Sequence, residues 1–247
     1  MPADHFSSVA AQYAQSRPSY PEALFDWLAS QCARRALAWD VGAGNGQASV
    51  ALAARFERVL ATDLSAEQIA QARPHERIEY RAASAERSGL PDGAADLVTV
   101  AQALHWFDLP PFYAEVHRVL APGGLFAAWT YGILSVEGEA PDAIVSDFYH
   151  RIVGPYWPAG RRHVETGYAE LAFDFRPLPS PPLAIVREWT LNELLGYVRS
   201  WSATARMQQA TGVDPVLALA PRLAAAWGDP GVRRTITWPI SLRAGRP

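Results

Sequence analysis

Lysine is missing from this 247-residue chain; all 22 basic residues are arginine. A Schiff-base lysine, a lysine nucleophile and a P-loop lysine are therefore impossible, which excludes pyridoxal-phosphate and P-loop chemistry. Cysteine is nearly missing too. The single Cys32 permits no intrachain disulfide, and in its helical setting it is expected to be an inert buried thiol. Positive charge is in short supply: the formal net charge of −3 gives no general attraction to phosphate backbones or anionic lipid, so no nucleic-acid partner is expected. No uncharged apolar run is long enough to span a bilayer. Residues 1–5 carry no basic stretch leading into an apolar one, so a signal peptide is not expected and the expected location is cytoplasmic. The histidines, at positions 5, 75, 105, 117, 150 and 163, lack ligand-like spacing with cysteine or carboxylates, and no metal site is expected. No G-x-S-x-G occurs, so there is no nucleophilic serine elbow.

What is present suits a globular α/β chain. Hydrophobic residues make up 49% and charged residues 19%, enough for one domain with a modest cap. After the breaks at Pro18 and Pro21 the pattern predicts a helix over 22–33. Strands are predicted over 37–41, 58–62, 77–82, 95–101 and 125–130. Helices over 47–55, 66–72 and 110–120 separate most of them, the second capped by Ser65 with Gln68 three residues on. Strands joined by helices of about ten residues imply right-handed crossovers and a parallel sheet. Residues 131–185, rich in proline and aromatics, read as an inserted cap or substrate lobe, and 1–36 as amino-terminal lid helices. Further helices are predicted over 192–201 and 215–227, with a last strand over 232–243. The expected architecture is a Rossmann-like, seven-stranded, mostly parallel sheet with helices on both faces.

The central chemical signal is Asp40-Val41-Gly42-Ala43-Gly44-Asn45-Gly46 at a strand-to-helix turn. Glycines allow a sharp bend and let a ligand approach without meeting a Cβ, while the following helix points N–H groups at the same space. Asp63 closes the next strand, where a carboxylate can accept hydrogen bonds from both ribose hydroxyls. A dinucleotide fingerprint would want a small residue at its sixth position, but Gln47 stands there. That departure favours a cofactor with one nucleoside and an amino-acid tail.

These residues resemble the first motif of class I S-adenosylmethionine-dependent methyltransferases. Ala61-Thr62-Asp63-Leu64-Ser65 is similar to their second motif. Ser84-Ala85-Glu86, Leu90-Pro91-Asp92-Gly93 and Ala95-Asp96-Leu97-Val98 resemble the adenine-flanking region of the type 11 group, which includes trans-aconitate methyltransferase-like proteins. The likeness continues through residues 103–108, 17–21 and 154–158. It implies S-adenosylmethionine as cofactor, with the loop of Gly42, Ala43, Gly44 and Gly46 cradling the methionyl part. It further implies that Asp63 binds the ribose, Leu64 lies against the adenine, and Ser84, Ala85 and Glu86 flank it. Ala101 and Gln102 would end a strand near the sulfonium, and Tyr13 and Arg17 would reach the cofactor carboxylate from a lid.

His105 and Trp106 follow the fourth strand, at the sheet edge where open α/β folds bind ligands. His105 is the catalytic candidate, as a general base or as a group that orients a substrate oxygen; Trp106 could wall the pocket or face the sulfonium. Tyr20, Trp129, Trp157 and Arg161 complete the expected substrate-binding set, and Arg161, Arg162 and His163 could recognise an anion. The expected activity is methyl transfer to a small molecule, with a carboxylic acid as first choice. Two rivals stand beside it. A short-chain NAD(P) oxidoreductase would want a Tyr-x-x-x-Lys pair, and there is no lysine; a cofactor-binding regulator without turnover would keep the fold alone. The oligomeric state is left open.

Overall fold

The computed structural model describes residues 18–247. They fall into two compact units, one built from residues 20–132, 162–184 and 239–247, the other including 133–161 and 185–238. The stretch 131–185, expected as one cap, is thus shared between them. No described helix is long and apolar enough to cross a membrane.

The first unit carries the sheet. Parallel strands β1 (Leu37–Val41), β2 (Arg58–Asp63), β3 (Ile78–Ala82), β4 (Ala95–Ala101) and β5 (Leu120–Tyr131) stand in the order β3-β2-β1-β4-β5. The end of β9 (Arg234–Arg246) runs antiparallel to β5, and β7 (Arg176–Leu178) pairs with it. The chain grows outward from β1 to β3, then returns to lay β4 on the other side of β1. The order therefore reverses between β1 and β4, and a crevice opens there at the carboxyl ends of the strands.

Alternation sends Trp39, Val41, Val98, Val100, Phe126 and Ala128 to one face, where Phe112 and Val116 of α4 (Leu109–Val119) cover them. Ala38, Val59, Leu97, Ala127 and Trp129 pack on the other, under Leu24, Phe25 and Leu28 of α1 (Glu22–Ser30) and Leu52 of α2 (Gln47–Ala53). The helix α1 is therefore part of this core. It ends at Ser30, short of the predicted residue 33; the Gln31 and Cys32 N–H groups close its last turn on the Trp27, Leu28 and Ala29 carbonyls, and further on Ala36 and Leu37 donate to the Asp96 carboxylate at 2.8 and 3.2 Å. The short helix α3 (Ala66–Ala70) starts as expected, with Ser65 Oγ accepting from the Gln68 N–H. β5 begins five residues earlier than predicted; Pro122, Gly123 and Gly124 form a bulge, which shifts the register between Ala95 and Leu97. Cys32 is buried, and burial pushes its thiol up to about 11.

The second unit is mainly helical, with α5 (Glu139–Asp147), α7 (Leu191–Arg199), α8 (Ser202–Thr211) and α9 (Val216–Trp227). Thr190 and Glu193 form a full capping box at the start of α7. The strand β6 (Ser135–Val136) pairs with the start of β9. Two further elements lie across the division of the chain, the short helix α6 (Arg161–Glu165) and β8 (Leu183–Trp189), which pairs with β9. The described strands number nine, against the seven expected; β6, β7 and β8, none of them among the predicted strand ranges, all pair with β9.

Candidate functional site

The bend after β1 depends on glycine at three points. Gly42, Gly44 and Gly46 all have positive φ, at 65°, 57° and 83°, a region that costs other L-residues energy. Their surroundings differ. A Cβ on Gly42 would lie 2.6 Å from Ala103 Cβ, and one on Gly46 would lie 2.7 Å from the Tyr80 ring. Gly44 is open; its nearest neighbour in that direction is Gln68 Oε1 at 3.8 Å. The first and third glycines thus let neighbouring segments close in, and the middle one leaves space. Tyr80 Oη, buried against Gly46, has no hydrogen-bond partner among the described residues.

Two carboxylates flank the bend. Asp63 Oδ2 accepts from the Gly44 N–H at 2.8 Å and Oδ1 from the Ser65 N–H at 2.9 Å. Each oxygen keeps a second lone pair, enough for one hydroxyl apiece. Asp40 is fully buried and plays a different part: it accepts from Ser49 Oγ at 2.6 Å and Thr99 Oγ1 at 2.9 Å, tying α2 and β4 to β1. Burial, opposed by those two hydroxyls and reinforced by Asp63, raises its carboxyl to about 6.

The parallel register gathers the remaining residues. Val41 pairs with Thr62 and Val100, and Asp63 with Ala82, so the ends of β1 to β4 lie side by side. Leu64 is 81% exposed, an apolar side chain standing in solvent beside Asp63. Ser84, Ala85 and Glu86 follow β3 in a turn closed by the Arg87 N–H donating to the Ser84 carbonyl at 3.2 Å. This is a fit for a nucleoside with a narrow polar tail: an open Cβ position, a carboxylate with spare acceptor capacity and an exposed apolar face.

Beyond the bend, β4 ends at Ala101 and turns through Gln102, which has φ of 59°. Holding a non-glycine residue there costs about 1–3 kcal/mol, a strain found most often at ligand sites. Thr130 Oγ1 donates to Gln102 Oε1 in a short hydrogen bond. His105 lies in a 3-10 turn from Leu104 to Trp106. Its ring is 4.7 Å from that of Trp106, which is 67% exposed, and its Nδ1 is 3.2 Å from Tyr168 Oη. Tyr168 is fully buried and also strained, with φ of 64°; its carbonyl and that of Leu171 accept from Arg243. Trp129 is fully buried in the core, with Tyr20 edge-on at 5.6 Å. Tyr13 and Arg17 lie outside the described residues.

In the second unit the Arg161 guanidinium sits 4.6 Å over the Trp157 ring, and its Nε donates to Tyr149 Oη at 2.7 Å. Arg162, which belongs to the first unit, pairs with Glu170 at 2.7 Å. Trp201 joins Tyr149 and Trp157 in the same aromatic cluster. No group of three or more potential metal ligands occurs among the described residues.

The sequence reading missed Tyr168 and Thr130. Tyr168 carries one weak signal, the preceding Gly167, whose φ is 60°; Thr130 carries none, because its partner is 28 residues away.

Comparison with known proteins adds independent findings. The family model described as a methyltransferase domain matches residues 39–128. A Dictyostelium discoideum protein named as a methyltransferase is 35% identical over 214 residues, which cover 85% of this chain and 81% of that one. A solved structure from Anaeromyxobacter dehalogenans, described as a type II methyltransferase, superposes with a TM-score of 0.89 at 48% identity and covers 93% of this chain and 97% of that one. A methyltransferase of Aspergillus aculeatus is 33% identical over 57% of this chain; the match spans only 47% of its own length.

Proposed function

Since the chain belongs to the class I S-adenosylmethionine-dependent methyltransferases, we propose that it O-methylates a small-molecule carboxylic acid. When bound, the cofactor supplies a methyl group already activated on a sulfonium. The residues that would hold it are those of the bend, with Gly44 giving it room, Asp63 for the ribose hydroxyls, and Leu64 with Ser84, Ala85 and Glu86 around the adenine.

One observation carries the choice of acceptor. The segment after β4, residues 101–107, contains an amide and an imidazole but no carboxylate. An amine acceptor would have to give up its ammonium proton to a nearby base before it could attack, whereas a carboxylate needs only N–H donors. A carboxylate also has no proton to lose, so the protein's task reduces to holding one oxygen in line with the methyl group. His105 and Gln102 are assigned that orienting role, and Trp106 the wall beside them.

The test is methyl transfer from labelled S-adenosylmethionine to a panel of carboxylic acids, phenols and amines. Turnover concentrated on the acids is the expected result. Turnover confined to amines would overturn the choice of acceptor, and cofactor binding with no acceptor turned over would favour the regulator.

A further inference from the structure

The turn that follows β3 belongs to no helix or strand, yet it is pinned at both ends. At the near end the Ala83 N–H donates to the Asp63 carbonyl at 3.0 Å. At the far end Glu115 Oε1 accepts from the Ser88 N–H at 2.8 Å and from its hydroxyl at 2.6 Å. We infer that Glu115, on α4, is a positioning residue that holds Ser84, Ala85 and Glu86 in place for the adenine without touching it. The inference rests on the placement of the adenine proposed above and adds what fixes its surroundings.

A carboxylate is out of keeping with its neighbours on this helix. The other buried residues of α4 are Phe112, Tyr113, Val116 and Val119. An apolar side chain would fill the same place at less cost, because burying a charge is expensive unless it is paired. Glu115 is paired at both oxygens: Arg118 Nε donates to Oε2 and Arg118 Nη2 to Oε1, each at 2.8 Å. Burial works to raise its carboxyl, but the bonds from Arg118 and Ser88 outweigh it and hold it at about 2. The group therefore stays charged and attracts donors strongly.

This hold extends along the segment beyond the turn. Ser88 Oγ, which donates to Glu115, accepts from the Leu90 N–H at 3.0 Å. Arg118 Nη1 binds Asp92 at 2.6 Å, and the Arg118 carbonyl accepts from the Gly93 N–H at 2.9 Å. From β3, Arg81 Nη1 donates to the Ser88 carbonyl at 2.9 Å. Ser88 is thus fixed at its N–H, its hydroxyl and its carbonyl. Three residues earlier, Ala85 is buried in the same core cluster as Phe112 and Val116. The turn therefore takes its position from α4 at one end and from Asp63 at the other.

Hydrogen exchange and calorimetry on the whole chain test this role. Bound S-adenosylhomocysteine should slow exchange at the amides of residues 84–86 in the parent protein. The parent should also prefer it to S-inosylhomocysteine, which carries an oxygen in place of the adenine's amino group. Glu115→Gln keeps the shape but puts an NH2 where an acceptor is needed. It should speed exchange at Ser88 and Leu90 in the ligand-free protein, weaken S-adenosylhomocysteine about tenfold and shrink the preference between the two ligands. Ser88→Ala should weaken binding about threefold, and the double variant should bind about as well as Glu115→Gln alone. A lowered melting temperature with an unchanged preference, or losses that add in the double variant, would leave Glu115 a structural residue and overturn the inference. If Glu115→Gln does not fold, Ser88→Ala decides by the same preference. Should the ligand leave residues 84–86 of the parent unprotected, the placement of the adenine fails, and this role of Glu115 falls with it.

Discussion

The two sides of the β1–β4 crevice are made in different ways. The bend at residues 42–46 is a backbone site, with three positive-φ glycines and one carboxylate that fastens the Gly44 N–H. The segment 101–106 is a side-chain site, in which Gln102 and His105 each meet a hydroxyl from a distant part of the chain, 28 residues away for Gln102 and 63 for His105. A backbone site tolerates little change and suits a ligand that stays the same. A side-chain site can be re-aimed by single substitutions and suits the variable partner of the reaction.

The sharpest way to break this comparison is through the glycines themselves. Gly42→Ala should cost roughly 2–4 kcal/mol in stability, since it combines backbone strain with a collision against Ala103, and should also reduce cofactor affinity. Gly44→Ala, which meets nothing closer than 3.8 Å, should lose only about 1 kcal/mol of stability while losing comparable affinity. Melting curves and calorimetry with S-adenosylhomocysteine separate the two. If both variants lose stability equally, the distinction between the close-approach and the open glycine fails.

The next effect concerns Asp40, which supports the bend from beneath. Its carboxyl titrates near 6 when folded against an ordinary value near 4, so the native state binds this proton more tightly than the unfolded chain does. Its contribution to stability therefore falls as pH rises from about 4 to about 6 and is level above that, a cost of roughly 3 kcal/mol. Asp40→Asn should remove that slope in urea melts across this range, and the variant should be at least as stable as the parent at pH 7. A slope that survives the substitution would place the titration elsewhere.

The smallest effect is expected at Leu64. It is exposed, so Leu64→Ala should leave the melting temperature unchanged, yet cofactor affinity should fall about fivefold through roughly 1 kcal/mol of lost apolar cover. Equal affinity for the two proteins would remove Leu64 from the adenine's surroundings.

The same contrast explains what could be read from the sequence. The bend was legible because its backbone requirement is written as glycine at fixed spacing, and Asp63 because strand and turn precede it in order. The parallel strands were legible from their apolar runs; β4 occupies the predicted residues 95–101. Helix α8 was not, because only Ala203 and Thr204 of it are buried, leaving no apolar stripe to see. The strands β6 and β7 are two and three residues long, too short for any alternation to register. The Tyr168–His105 and Thr130–Gln102 contacts are tertiary, and no spacing rule encodes them.

Titration of S-adenosylhomocysteine and of NADH into the parent protein and into Asp63→Asn bears most directly on the backbone site. The account predicts one-to-one binding of the first ligand alone, weakened about 10- to 100-fold by Asp63→Asn, as expected for losing a charged partner of two hydroxyls. Equal affinity in the two proteins, or binding of NADH in preference, would contradict it.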